Sequence, residues 1–241
     1  MVETFDKWLE KQKSAYEKGF RERECLLLAE GAKPGIHPRK VGYTFIYRHP
    51  REIALSMAEI SARIAKQIPC VSYPVDSIHI CALDENDACK KTIGEEENDL
   101  DYLDREFGKR LCNAAKKVAN LKIPLTVYLN DLLFNPEAVI VEGITQDSSV
   151  YDFSLSLLEA CKKEGVDNMD RFPWGVHTTL TRNFGTGDVR EQGQKAYNFL
   201  MQERRKFQRK QSRLSYLDVC TFDCGPRGAK FRVLERFPLE E

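Results

Sequence analysis

The stretch Phe172-Pro-Trp-Gly-Val-His-Thr-Thr-Leu-Thr-Arg-Asn183 decides how this chain is read. It has the character of a strand, and in a strand residues i and i+2 point to the same face, so His177 shares a face with Thr179. A second apolar run far upstream, Ser77-Ile-His-Ile-Cys-Ala-Leu-Asp84, repeats the arrangement with His79 and Cys81. Two strands that each carry an imidazole beside a small hydroxyl or thiol suggest paired halves around one groove. The pairing suits phosphodiester chemistry without a metal, because a neutral imidazole takes a proton while a protonated one donates to the leaving oxygen.

Working outward from these runs, the pattern predicts strands separated by helices. Phe5 to about Leu28 is highly charged, with apolar residues at Phe5, Trp8, Leu9, Tyr16 and Phe20, and predicts an amphipathic helix packed on the core as an N-terminal extension over residues 1–30. Glycines and prolines make Gly31–Pro38 a loop. Val41–Tyr47 reads as a strand, Arg51–Gln67 as a helix beginning after Pro50, and the run bearing His79 follows. Glu95 to Asn120 is an acidic connection leading into a helix, closed before Ile123-Pro124.

The second half repeats the plan with a hairpin added. Leu125–Asn130 and Ala138–Ile144 are strand runs joined near Asn135-Pro136, and a helix from about Tyr151 to Glu164 precedes the run bearing His177. A helix from Asp188 to about Lys206 is followed by two strand runs, Ser215–Phe222 and Lys230–Phe237, flanking a Gly225-Pro-Arg-Gly228 turn. Strands, helices and hairpin signals in this order indicate an α+β or α/β protein.

Composition sets limits on the partners. The 241 residues contain 37 Lys plus Arg and 37 Asp plus Glu, so the chain lacks the strong positive field of a general nucleic-acid coat protein, and contact with phosphate must be local. No apolar stretch approaches the length that spans a membrane. The eight cysteines, at 25, 70, 81, 89, 112, 161, 220 and 224, are scattered, which argues for reduced thiols. Met1-Val-Glu-Thr-Phe-Asp is acidic and polar, unlike a signal peptide, and the expectation is an intracellular, cytoplasmic protein. Nothing in the sequence sets an oligomeric state; a monomer is expected.

The two tetrapeptides resemble the repeated His-x-Ser/Thr-apolar motif of the 2H phosphoesterase superfamily, the two-histidine enzymes. His177-Thr178-Thr179-Leu180 fits the motif, whereas His79-Ile80-Cys81-Ala82 departs from it at the hydroxyl position, where a thiol is a weaker donor. Arg182 follows the second copy as an arginine often does in these enzymes, aromatic Phe172 precedes it, and the order of elements from about Val41 to Leu239 is similar. This resemblance implies an α+β, two-lobed fold over residues 41–239, with two antiparallel sheets lining a central groove and helices outside. It also implies His79 and His177 as catalytic, Cys81, Thr179 and Arg182 as substrate-binding, and no metal or other cofactor. The implied substrates are RNA ends or small nucleotides, with opening of 2′,3′-cyclic phosphates first. Hydrolysis of 2′-5′ linkages or of a cyclic nucleotide signal comes next, and the reverse joining of RNA ends stays open. A non-catalytic binder of RNA ends or nucleotides is the reading from another class.

Competing chemistries lack their parts. There is no Gly-rich phosphate loop ending in Lys-Ser/Thr, no His-Glu-x-x-His helix and no Gly-x-Ser-x-Gly elbow. Cys220-Thr-Phe-Asp-Cys224 has no second Cys/His pair to complete a zinc site, and Glu95–Asp101 reads as a solvated turn rather than a cation site. His37, in a Gly/Pro loop, and His49, before Pro50, have no matched partner and are read as ordinary structural residues. Arg204, Arg205, Lys206, Arg209, Lys210 and Arg213 read as the solvated face of a charged helix, and Tyr43, Tyr47, Phe134 and Phe231 as core before base-stacking platforms. Arg182, five residues past His177, falls on the opposite face of a regular strand, so a phosphate role there requires a bulge.

Overall fold

A computed structural model describes residues 3–27, 40–85, 91–92, 107–183, 189–225 and 228–239. The expected loop at 31–38 with His37, the acidic segment 95–101 and the tip of the 225–228 turn lie wholly or partly outside them. In chain order the elements are α1 (Phe5–Glu22) with a 3-10 turn (Arg23–Leu27), β1 (Lys40–Arg48), α2 (Arg51–Gln67), β2 (Cys70–Ser72), β3 (Ile80–Asp84) and β4 (Lys91–Thr92). They continue with α3 (Gly108–Ala119), β5 (Thr126–Phe134), β6 (Ala138–Ile144), α4 (Ser149–Lys163), β7 (His177–Asn183), α5 (Val189–Lys206), β8 (Lys210–Arg213), β9 (Tyr216–Gly225) and β10 (Gly228–Pro238).

The strands form two antiparallel halves, β10-β9-β1-β3 and β7-β6-β5-β8, and the ladder passes from one to the other through a single registered pair, Ile80↔Thr178. Each motif strand therefore sits at the inner edge of its own half. The halves repeat one unit, β1-α2-β3 and β6-α4-β7, in which a strand, a helix and an adjacent antiparallel strand follow one another. Alternation sorts the faces. Tyr47, Ile80, Ala82, Val139, Val141 and Thr178 are buried in the core, while His79, Cys81 and His177 on the other face remain half-buried. Helices cover the outer surface, α3 against β9 and β10, α4 against β3, and α2 against β2 and β7.

Two expected strand boundaries differ. His79 lies just before β3, after a 3-10 turn at Val75–Ser77, because its Nδ1 bonds the Ser77 carbonyl at 2.7 Å and holds the turn closed. Residues 172–176 are irregular rather than extended, because side chains of α1 take their backbone groups: Trp8 Nε1 donates to Pro173 O at 2.7 Å, Gln12 Oε1 accepts from Val176 N at 2.7 Å, and the Tyr16 hydroxyl donates to Val176 O. The approach is close enough to exclude a side chain at Gly175, whose Cβ would stand 2.7 Å from Gln12 Cγ. Three short strands, β2, β4 and β8, went unread in the sequence; each is four residues or fewer, too short to show a period.

His49 is fully structural, as its context predicted. Its ring lies between Ser212 Oγ, 2.7 Å from Nδ1, and Thr178 Oγ1, 2.8 Å from Nε2, tying the end of β1 to β7 and β8. Burial, aided by the charges of His79 and Arg48, lowers its pKa to about 3. An unfolded histidine binds its proton near pH 6.5, so the contribution of this neutral ring is complete above that value and is lost as pH falls toward 3, at up to about 1.4 kcal/mol per pH unit. Urea midpoints at pH 7, 5.5 and 4.5 should fall in that order. His49→Gln should flatten the slope, and an unchanged slope in that variant would assign the pH dependence to other groups.

Candidate active site

Antiparallel register about Ile80↔Thr178 sets His79 beside Thr179 and Cys81 beside His177 on the face turned away from the core. The two imidazoles thus stand diagonally across a two-by-two square, with a hydroxyl and a thiol at the other corners. Among the expected site residues these four are brought together by the strand pairing itself. Phe172 is not among them; it packs edge-on against Trp8 and Tyr151.

Arg182 reaches the same face through a bulge. On β7, Thr179 pairs with Ile140 and Thr181 with Val139, so Leu180 is the extra residue and the alternation slips by one. Thr181 is consequently buried in the core, and Arg182 turns out to the His177 side, exposed. The carbonyl of Leu180 is taken by the buried Ser61 hydroxyl at 2.6 Å and the Tyr73 amide at 3.0 Å, so the bulge leaves that carbonyl satisfied. Tyr73 lies close enough that the Arg182 charge and hydrogen bond oppose the rise that burial imposes on its phenol.

The first motif copy carries the same irregularity. Cys81 pairs with Ile46 and Leu83 with Phe45, leaving Ala82 as the extra residue, which places Asp84 where Arg182 stands in the second copy. Asp84 faces Arg171 at 3.7 Å and shares a backbone bridge with it. The frame is two-fold but its charges are not: the second copy offers a cation to the groove and the first an anion.

Each imidazole is oriented by its neighbours. Because the Ser77 carbonyl can only accept, His79 carries a proton on Nδ1 and, when neutral, presents a bare Nε2. Phe231 stands edge-on to that ring at 4.6 Å, so of the four aromatics considered as platforms it is the one at the site; Tyr43, Tyr47 and Phe134 are core. His177 is stacked on Trp174 at 4.5 Å with 19° between the planes, and Trp174 is 39% exposed. Its Nδ1 is buried without a hydrogen bond among the described residues, although the Gly175 backbone lies near enough to raise its pKa.

Burial and neighbouring charges hold both rings neutral near pH 7. Burial by crowding neighbours is the largest cause, lowering His79 to about 4 and His177 to about 3. The Arg182 charge pushes both down, Arg48 also lowers His79, and His79 itself lowers His177, which places the two rings within electrostatic reach of each other. Behind His79, the buried Asp218 carboxylate is shared by Arg48 at 2.7 Å and Arg236 at 2.7 Å, a cluster that sequence reading missed because its members come from three strands with no common motif. Of the basic residues expected on one solvated helix face, Arg205 and Lys206 are exposed on α5, but Arg204 is clamped by Asp131 with N–O distances of 2.5–3.0 Å, and Lys210 and Arg213 lie on β8 because the helix ends at Lys206.

No protein-family model and no curated protein matches the chain. Solved structures do. TT0787 of Thermus thermophilus is similar at 14% identity, with 83% of this chain and 97% of that one covered and a TM-score of 0.55. ATU0111 of Agrobacterium tumefaciens strain C58, described as a conserved protein of unknown function, is similar at 14% identity over 89% and 99%, with a TM-score of 0.51. E. coli LigT complexed with 3′-AMP is similar at 12% identity over 85% and 100%, with a TM-score of 0.48. At such identities the likeness is one of fold: the α+β architecture of this chain, an antiparallel sheet in two halves backed by helices, is shared with TT0787 and ATU0111 over most of their length. No helix among the described residues is long and apolar enough to cross a membrane.

Without added ligand, the ring signals of His79 and His177 should titrate near pH 4 and 3 in a heteronuclear NMR experiment. Inorganic phosphate should raise both, because an anion favours the imidazolium, and Arg182→Ala should also raise both by removing a repelling charge. Ordinary titration of both near pH 6.5 would contradict the crowding.

Proposed function

We propose that this chain is a metal-independent phosphodiesterase that opens 2′,3′-cyclic phosphates, or 2′-linked phosphodiesters, of RNA ends or small nucleotides. The observation that carries the reading is the square of His79, Thr179, His177 and Cys81, with Arg182 turned onto the same face by the Leu180 bulge. Water attacks phosphorus as one neutral imidazole accepts its proton, and the other, as imidazolium, protonates the departing ribose oxygen. Thr179 and Arg182 donate to the non-bridging oxygens as charge develops there. Both rings are neutral before substrate arrives, so the anionic phosphate itself supplies the field that lets one of them hold the second proton. Unbridged thiols among the described residues support the companion reading of a cytoplasmic protein.

A second reading, a nucleotide or RNA-end binder without turnover, is favoured by Cys81, where a thiol replaces a hydroxyl donor. Purified protein in EDTA, offered 2′,3′-cyclic nucleotides and 2′-5′ dinucleotides, separates the two. The enzyme reading expects turnover that falls about a hundredfold or more in His79→Ala and in His177→Ala, whereas saturable binding without turnover establishes the binder. Arg182→Ala should lower kcat by about a hundredfold, as loss of an oxyanion donor does elsewhere. Cys81→Thr should preserve or raise activity; a severe loss would mean that the thiol does something a hydroxyl cannot.

A further inference from the structure

Beside the histidine groove, α1 roofs a cleft of about 660 Å³ over the second half of the sheet. That size is typical of small-molecule sites. Its apolar walls are Leu9, Tyr16 and Phe20 from the helix and Leu133 and Ile144 from β5 and β6, interspersed with charged side chains of α1 and with Asp131 and Glu142. Its sheet wall borders the site strand. Glu142 is the register partner of His177, and the Tyr16 ring, edge-on to Trp174 at 5.4 Å, continues the stack of Trp174 on His177.

Three features give the cleft a chemistry. Its aromatic and aliphatic walls suit a flat, apolar-faced ligand. Thr145, only 7% exposed, lines the cleft with an Oγ1 that is buried and makes no hydrogen bond among the described residues. Glu142, whose carboxyl is raised chiefly by burial despite the Asn130 amide at 2.7 Å, stands in the wall beside Asp131 as a hydrogen-bonding group. A planar ring with polar edges satisfies all three.

We propose that this cleft holds the base of the nucleotide whose phosphate lies between His79 and His177. The inference rests on the phosphodiesterase reading and deepens it. Spacing supports the assignment: β6 and β5 lie about 5 and 10 Å from β7 at the usual ladder spacing, the range over which a ribose separates a phosphate from its base. The N-terminal helix is then a wall of the substrate site, and the base packs on Tyr16 and Ile144 with its edge toward Thr145 and Glu142.

The test titrates Trp174 emission with adenosine 2′-monophosphate and with ribose 5-phosphate. The wild type should bind the nucleotide about tenfold tighter or better, the scale of one stacked base. In Ile144→Arg, a change at a position 37% exposed, that margin should fall below threefold. Photolabelling with 8-azidoadenosine 2′-monophosphate, which needs no variant to fold, should attach within residues 5–21 or 131–145. Equal wild-type affinities, an undiminished margin in Ile144→Arg, or a label elsewhere would overturn the base site while leaving the phosphate site standing. Failure of both ligands to bind would overturn the phosphate reading, and the base site with it.

Discussion

Two extra residues in two strands, Ala82 and Leu180, decide what the groove contains. A strand without a bulge shows alternate residues to one face, so an arginine five residues past the motif histidine would fall on the opposite face. The Leu180 bulge moves Arg182 across, and the accompanying burial of Thr181 shows the same slip from the core side. Such a bulge persists only if its freed carbonyl finds partners, and here Ser61 and Tyr73 provide them from α2 and from the segment after β2. A buried serine on a helix thus helps aim a cation in a groove it does not touch.

Much of the fold was legible because its elements are long and regular. The bounds of α2 and β6 fall where Pro50 and the Val/Ile alternation put them, and the strand-helix-strand repeat followed from those segments. His79 and His177 were legible as a pair, since a strand period of two is enough to give each a small polar neighbour. What could not be read was anything that depends on pairing between distant segments. Nothing in Leu180 announces a bulge; the slip is visible only against the register of β6. The Arg48–Asp218–Arg236 cluster joins β1, β9 and β10, and no local pattern links those positions. Residues 172–176 look extended in isolation and are irregular because α1, more than 150 positions away, satisfies their backbone through Trp8, Gln12 and Tyr16.

That long-range dependence makes α1 more than an appendage. Gly175 admits Gln12 at a distance no side chain would allow, and Gly143, whose Cβ would meet the Val176 carbonyl at 2.7 Å, lets β6 and the segment before His177 close together beneath the same helix. Trp8 is fully buried among Phe5, Tyr151 and Phe172, so the start of α1 is held by aromatic packing and its middle by hydrogen bonds to the segment that carries Trp174. Trp174 in turn is stacked on His177. Position is therefore passed from the helix to the imidazole through a short series of contacts, each with a defined geometry.

The charge pattern of the groove favours an anionic ligand. A histidine pair at ordinary pKa values would be partly protonated near neutrality, and two like charges on one face would resist each other. Here crowding and Arg182 keep both rings neutral, so the exposed guanidinium is the principal positive charge that the second motif copy presents, while Asp84 occupies the matching place on the first. A chain with balanced overall charge, 37 basic against 37 acidic residues, gives no general attraction for nucleic acid, so an anion is drawn to one point. A phosphate settling against Arg182 would cancel the charge that lowers both imidazoles and supply one of opposite sign, raising their pKa values at the moment a proton donor is needed. On the proposed reaction, ligand and acid would be coupled: the group to be cleaved would create the protonation state that cleaves it.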